Sequence, residues 1–273
     1  MPRQRLGQHF LADPEWREQI ARAIRVSPQA LGRWSPASHK PFCWIEIGAG
    51  HGEMTEHLAS SGAPVCAIEL DASLLGSLQA LAKKFPNLSV APGDILETDI
   101  AMLAAGRRIR IYGNLPYYIT SPILHRLFGF ADLIDEMHIV IQAEVALRLT
   151  APPNSKLRGY LSVATQLYAR PELVFHVPRG AFRPPPEVGS ALVTLRFPGE
   201  RRNLVQLDHA RFLEFVKSCF SQKRKTLVNN LRSLAAPERV RETLESLGLR
   251  PDARAEQLSV ANLAALEQAL TSP

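Results

Sequence analysis

The residues that build disulfide scaffolds and metal centres are scarce in this chain. Its three cysteines, Cys43, Cys66 and Cys219, are odd in number and sit in apolar or amphipathic segments, which predicts buried free thiols in a reducing compartment. The eight histidines are scattered, with no HxxxH or CxxC pairing, so no metal site is expected. No stretch approaches the roughly 18 consecutive apolar residues of a membrane span. The start, Met1 to Leu11, is basic and polar and lacks the apolar segment of a secretory leader. Internal repeats and low-complexity tracts are also missing. These absences predict a soluble, cytoplasmic protein without a membrane partner.

What is present is a chain of 273 residues, 46% apolar, with a formal net charge of +6. That length suits one large α/β domain plus a smaller one, and the positive balance favours a polyanionic partner. From Phe42 to Gln142, apolar runs alternate with helical segments through short connections, the pattern of a mostly parallel sheet covered on both faces. Two later runs, 172–177 and 191–197, flank the stiff Phe182-Arg183-Pro184-Pro185-Pro186 stretch and predict an antiparallel edge. Beyond Pro198-Gly199 only helical periodicity remains. Domains are therefore expected at 1–204 and 205–273, the second all-helical.

Candidate chemistry gathers where the predicted strands end. The first strand runs into Gly48-Ala49-Gly50-His51-Gly52, where glycines let the backbone approach a ligand. The spacing is GxGxG and not GxGxxG, which points away from a pyrophosphate. Glu69 closes the second strand, placed to accept both ribose hydroxyls of an adenosine. Asp94 closes the third, able to accept from an adenine amine while Ile95 packs on the ring. The fourth ends in Asn114-Leu115-Pro116-Tyr117. That tetrad offers an amide oxygen, a main-chain carbonyl beside Pro116, a stiffened loop and an aromatic face, the means to draw a planar amine's N–H groups towards acceptors. Phe182 is a candidate second stacking face. The Gly7-Gln8-His9-Phe10-Leu11 arm, ahead of a helix starting at Asp13-Pro14, can fold back over a ligand. Residues 27–41, rich in proline and serine, read as a loop. In the C-terminal part, Lys223, Arg224 and Lys225 pack three cations into Ser221-Gln222-Lys223-Arg224-Lys225-Thr226-Leu227, which suits phosphate contacts on RNA or DNA. Taken singly, each feature also fits an ordinary turn, a tail, core packing or a solvated helix face.

Together and in this order, Glu46-Ile47-Gly48-Ala49-Gly50-His51-Gly52, Glu69, Gly93-Asp94 and Asn114-Leu115-Pro116-Tyr117 resemble the S-adenosylmethionine-dependent methyltransferases with a Rossmann-like sheet. The Gly7–Leu11 arm, Phe182 before prolines and Gln222–Leu227 narrow the resemblance to the small-subunit ribosomal RNA adenine N6,N6-dimethyltransferases, the KsgA (RsmA) group, over nearly the whole chain. The resemblance implies an α/β class I methyltransferase fold, a seven-stranded mostly parallel sheet with an antiparallel edge strand, plus a small all-helical C-terminal domain. It implies dimethylation of two adjacent adenines near the 3′ end of 16S rRNA in the small ribosomal subunit, with a role in subunit biogenesis, by a monomer. The implied cofactor is S-adenosyl-L-methionine, held against His9, Leu11, Gly48, Glu69, Asp94 and Asn114. Asn114 and Tyr117 would take the target adenine with Phe182 as its second stacking partner, and Lys223, Arg224 and Lys225 would meet RNA. The chain departs from the family at Tyr118, where asparagine is common, at Ala49, where proline is frequent, and at Lys223, where arginine is usual. Large-subunit rRNA adenine methyltransferases share the tetrad, but the arm and the basic stretch tilt against them. The Asp-Pro-Pro-Tyr tetrad expected of DNA adenine methyltransferases is absent.

Overall fold

The computed structural model describes residues 9–25 and 41–271; Gly7, Gln8 and all but Pro41 of the loop read over 27–41 lie outside the described residues. The described chain opens with a two-residue strand, β1 (Phe10–Leu11), and helix α1 (Pro14–Ala23). As the Asp13-Pro14 pair predicts, Asp13 Oδ1 accepts from Glu15 N at 2.9 Å and Trp16 N at 3.4 Å, and Pro14 opens the first turn, where its missing N–H costs nothing.

Strands and helices then alternate: β2 (Phe42–Ile47), α2 (Glu53–Ala59), β3 (Val65–Glu69), α3 (Leu75–Ala82), β4 (Leu88–Pro92), α4 (Ile100–Ala104), β5 (Arg108–Asn114), α5 (Thr120–Phe128) and β6 (Ile134–Gln142). All five residues of β3, and all of β2 after Phe42, are buried. Strands covered on both faces read as continuous apolar runs, which is why these segments show no alternation.

After α6 (Ala143–Leu149) and α7 (Tyr160–Tyr168) come β7 (Arg170–Val177), the two-residue β8 (Phe182–Arg183) and β9 (Ser190–Arg196). Seven strands form one sheet in the order β4-β3-β2-β5-β6-β9-β7, and β1 pairs with β8 in a separate ribbon. The pairs β2–β3, β2–β5, β3–β4 and β5–β6 are parallel, and β6–β9 is antiparallel. The antiparallel strand thus lies one place in from the edge, with β7 outside it. From β2 the chain proceeds to β3 and β4 on one side and later to β5 and β6 on the other. That reversal opens a crevice at the carboxyl ends of β2 and β5, where open α/β sheets bind ligands.

The chain divides into two compact units, the first running to Ala146 and including Glu172–Phe197, the second comprising Leu147–Pro171 and Pro198–Pro273. This corrects the domain boundary expected at 204/205. Helix α7 follows the sheet segments in sequence, yet Val163 and Leu167 are wholly buried in the same apolar cluster as Phe212, Leu227, Leu244 and Leu263. The cluster is completed by α8 (His209–Cys219), α9 (Leu227–Asn230), α10 (Pro237–Ser246) and α11 (Val260–Thr271). Gly199 locks this arrangement. A Cβ there would lie 2.4 Å from the Gln166 carbonyl oxygen and 2.5 Å from Ala169 N, so only a residue without a side chain can pass the end of α7.

Candidate active site

A pocket with two lobes lies at the carboxyl ends of β2 to β5, and Gly48, Glu69 and Pro116 line both lobes. One lobe adds His9, Phe10, Gly50, Asn114, Leu115 and Tyr117. The other is more apolar, with Ile68, Leu70, Ile95, Ile119 and Ile123 around Asp94 and Tyr118.

Glu69 is buried at the tip of β3, and both its oxygens are held by main-chain donors. Oε2 accepts from Gly50 N and Oε1 from Asp71 N, each at 2.8 Å. Each oxygen keeps a further acceptor direction. Gly50 can present its N–H this way because it adopts φ +61°, and because an added Cβ would stand 3.1 Å from two carbons of the Phe10 ring. The glycine loop, the acid and the arm are thus mutually dependent. Asp94 Oδ1 accepts from Leu96 N at 2.9 Å; no hydrogen bond to its Oδ2 is formed among the described residues.

Asn114, at the last position of β5, has its amide oriented by the arm. Its Nδ2 donates to the His9 carbonyl at 2.7 Å. A carbonyl can only accept, so the amide nitrogen must face the arm, and Oδ1 remains as an acceptor. The loop behind it is fixed by Leu115 N donating to Val140 O at 3.0 Å. The Pro116 carbonyl is already engaged by Ile119 N at 3.2 Å and Thr120 Oγ1 at 3.1 Å. The Leu115 carbonyl, by contrast, receives no hydrogen bond among the described residues. It is therefore the main-chain oxygen beside Pro116 left with acceptor capacity.

Tyr117 shares a 2.7 Å hydrogen bond between its hydroxyl and Ser190 Oγ. Burial pushes the phenol's pKa up, against the opposing effect of that hydrogen bond, so Tyr117 is neutral at physiological pH. Its ring lies 5.6 Å from that of His9 at 31°. His9 Nδ1 donates to the Pro184 carbonyl at 2.8 Å, which fixes the ring's orientation. Below the glycine loop, Glu46 is 2% exposed. Burial, opposed by the nearby Thr55 hydroxyl and reinforced by the carboxylates of Glu53 and Glu69, pushes its pKa up to about 8.

Comparison with known proteins now decides the class. Residues 2–272 match the profile of the ribosomal RNA adenine dimethylase family. The chain belongs to that family. It is accordingly an rRNA adenine methyltransferase. Curated relatives include ribosomal RNA small subunit methyltransferase A from Xanthomonas campestris pv. campestris (strain B100), 40% identical over 94% of this chain and 92% of the relative. The namesake protein from Xanthomonas oryzae pv. oryzae (strain PXO99A) is 41% identical over the same shares. Among solved structures, a dimethyladenosine transferase from Plasmodium falciparum shares the fold at TM-score 0.77 and 23% identity, covering 94% of this chain and 96% of that one. The 23S rRNA methyltransferase ErmE is similar at TM-score 0.69 and 25% identity, covering 96% of this chain and 100% of that one.

Of the residues singled out in the sequence, His9, Gly48, Glu69, Asn114 and Tyr117 line the pocket together, and Asp94 lines its apolar lobe with Gly48 and Glu69. Two expectations need correction. Phe182 has no exposed surface and belongs to the buried cluster that includes Leu11, Ala49, Tyr112 and Val140. In the ribbon its backbone pairs with Leu11, and Arg183, the next residue, faces solvent. The side chain offers no face on which a base could stack. Leu11 is likewise a core residue, and His9 and Phe10 are the arm residues that line the pocket. Sequence reasoning missed Ser190, the partner of the Tyr117 hydroxyl, because 73 residues separate them and no local pattern marks it. It also missed Leu70, whose position just after Glu69 was an available signal.

Within the second unit, Lys223, Arg224 and Lys225 are exposed on a turn between α8 and α9, not on a helix face. Lys225 N donates to Gln222 O at 3.0 Å, and Asn230 Nδ2 donates to Cys219 O at 2.6 Å and to Gln222 O at 3.2 Å, which braces the turn. None of the three cations forms an ion pair among the described residues.

Proposed function

We propose that this dimethylase transfers methyl groups from S-adenosyl-L-methionine to the N6 amines of two adjacent adenines near the 3′ end of 16S rRNA, acting on the small ribosomal subunit in the cytoplasm as a monomer during subunit biogenesis. The observation that carries the reading is the oriented amide of Asn114, its Nδ2 held by the arm and its Oδ1 left to accept, beside a free Leu115 carbonyl and the Tyr117 ring. Two acceptors beside an aromatic face suit an exocyclic amine that must be held flat against a ring and then pulled towards tetrahedral geometry. The small subunit is favoured over the large because the relatives at 40–41% identity are small-subunit enzymes, whereas ErmE stands at 25%.

The residues present fit the cofactor. Glu69 retains acceptor directions for a pair of hydroxyls, Asp94 keeps a free oxygen, and Ile95 and Ile68 offer apolar faces for a purine. When bound, the cofactor supplies an already activated methyl group, so the protein needs no strong base. The chain's work is positional. Asn114 Oδ1 and the Leu115 carbonyl accept from the amine's N–H groups, which raises the availability of its lone pair. Tyr117, neutral and tethered to Ser190, holds the base plane. Lys223, Arg224 and Lys225 would neutralise backbone phosphates and set register, not sequence. A monomethylated amine still carries one N–H, enough for one of the two acceptors in a second round.

The test is incubation of purified small subunits with methyl-labelled cofactor, followed by mass spectrometry of rRNA nucleosides. N6,N6-dimethyladenosine at adjacent positions is expected. Unlabelled rRNA would sink the proposal and leave a binding protein that occupies the subunit without modifying it.

A further inference from the structure

The second unit contains an open cavity of about 540 Å³, far from any motif used above in sequence, whose ionisable lining residues are Arg158, Arg170 and Glu200. Arg158 has no exposed surface. Among the described residues its guanidinium donates to neutral acceptors alone, Leu258 O at 3.1 Å, Ala151 O at 2.8 Å and Gln166 Oε1 at 2.7 Å. Its Nη2 is buried and has no hydrogen-bond partner among the described residues. Burial alone pulls its pKa down to about 10, and no carboxylate, neither Glu200 nor Glu256, acts to raise it. A buried cation normally stands opposite a carboxylate, because an uncompensated buried charge is strongly destabilising.

A second feature concentrates positive potential at the same place. The cavity is also lined by Ser259, Val260 and Ala261, the start of the twelve-residue helix α11. Ser259 Oγ accepts from Asn262 N at 3.0 Å and so caps one of the helix's free N–H groups. The N–H groups of Val260 and Ala261 find no acceptor among the described residues. The partial positive charge of a helix start, an unbalanced buried guanidinium and the exposed Arg170 therefore share one cavity, with the exposed Glu200 as the one acid along its lining. We infer that this cavity is an oxyanion site that takes a phosphate group, with the exposed Arg170 and the start of α11 as its donors and Arg158 as the buried positive charge behind them. The group can come from free phosphate or from an RNA backbone, and the geometry is the same for both.

The test uses the full chain. Its thermal midpoint and calorimetric affinity are measured against inorganic phosphate, with sodium chloride at matched ionic strength as the control. Wild type is expected to gain a saturable rise in midpoint with phosphate alone. Arg158→Met, which keeps volume and removes the charge, should weaken phosphate binding by more than about tenfold, and Arg170→Gln should weaken it several-fold. Displacement of phosphate by a short single-stranded oligoribonucleotide would identify the backbone phosphodiester as the source, and phosphate binding without displacement would identify free phosphate; either supports the site. No rise beyond the chloride control, or equal affinity in both variants and wild type, overturns it. Should Arg158→Met fail to fold, unchanged affinity in Arg170→Gln is sufficient to reject the inference.

Discussion

Replacing Asn114 by alanine removes two hydrogen bonds with different jobs, and their sizes can be separated. In the proposed mechanism, the Oδ1 bond to the target amine grows stronger as that nitrogen develops positive charge in the transition state. Deleting one preorganised polar group of this kind costs on the order of 10²–10³ in rate. The Nδ2 bond to the His9 carbonyl, at 2.7 Å, is neutral and partly buried, so its loss costs about 1 kcal/mol, or roughly fivefold in any equilibrium that needs the arm closed. Asn114→Ala should therefore lower the single-turnover rate on small subunits by about 100- to 1000-fold while weakening cofactor binding by less than about tenfold. Asn114→Asp isolates the second job. A carboxylate still accepts from the amine but cannot donate to the carbonyl of His9, so it should keep more of the rate than alanine does. Both variants should accelerate hydrogen exchange at the amides of Phe10 and Leu11. A single-turnover rate for Asn114→Ala within about threefold of wild type would refute the reasoning, because no transition-state acceptor is that weak.

Phe182→Ala should destabilise the first unit by about 3–5 kcal/mol, the usual cost of emptying a core aromatic site; an unchanged thermal midpoint with a raised KM for RNA would instead restore the stacking role that its burial denies. Changing Lys223, Arg224 and Lys225 together to alanine should reduce the slope of log affinity for RNA against log salt by about 2–3, since each phosphate contact contributes roughly 0.7–0.9, and an unaltered slope would remove this turn from the RNA footprint. Glu46 gives a pH prediction with a definite sign. Its carboxyl keeps its proton up to about pH 8 in the folded chain, against an ordinary value of 4.5 when unfolded, so stability is full below that ordinary value and falls, on the order of a few kcal/mol, as pH rises through 8. Glu46→Gln should flatten that decline in denaturant unfolding followed from pH 5 to 9, and an equally steep decline in the variant would show that another group is responsible.

The strand ends were legible because each carried a residue whose chemistry is local. Glycine at a turn, an acid after an apolar run and proline behind an asparagine all announce themselves within a few positions. Phe182 was misjudged for the same reason. An aromatic before three prolines looks like an exposed loop residue, and only the pairing of Leu11 with Phe182, across 171 positions, turns it inward. The domain boundary failed on a similar point. Helix α7 lies between strands β6 and β7 in sequence, and nothing local distinguishes a helix that covers a sheet from one whose apolar face joins a separate cluster. Val163 and Leu167 would look the same in either case.

The two lobes of the pocket cannot be perturbed independently, because Gly48, Glu69 and Pro116 line both. Glu69 fixes the glycine loop through Gly50 N, Gly50 makes room for Phe10, and the residue before Phe10 fixes the Asn114 amide through its carbonyl. A change at Glu69 is therefore transmitted to Asn114 Oδ1 through three contacts. The arm that closes this circuit is held at its far end by burial of Leu11 against the core, which contributes about 1.5–3 kcal/mol for a side chain of that size. That burial adds to the hydrogen bonds that already hold the arm, from His9 Nδ1 to Pro184 O, from Asn114 Nδ2 to His9 O and from Ala12 N to Ala181 O.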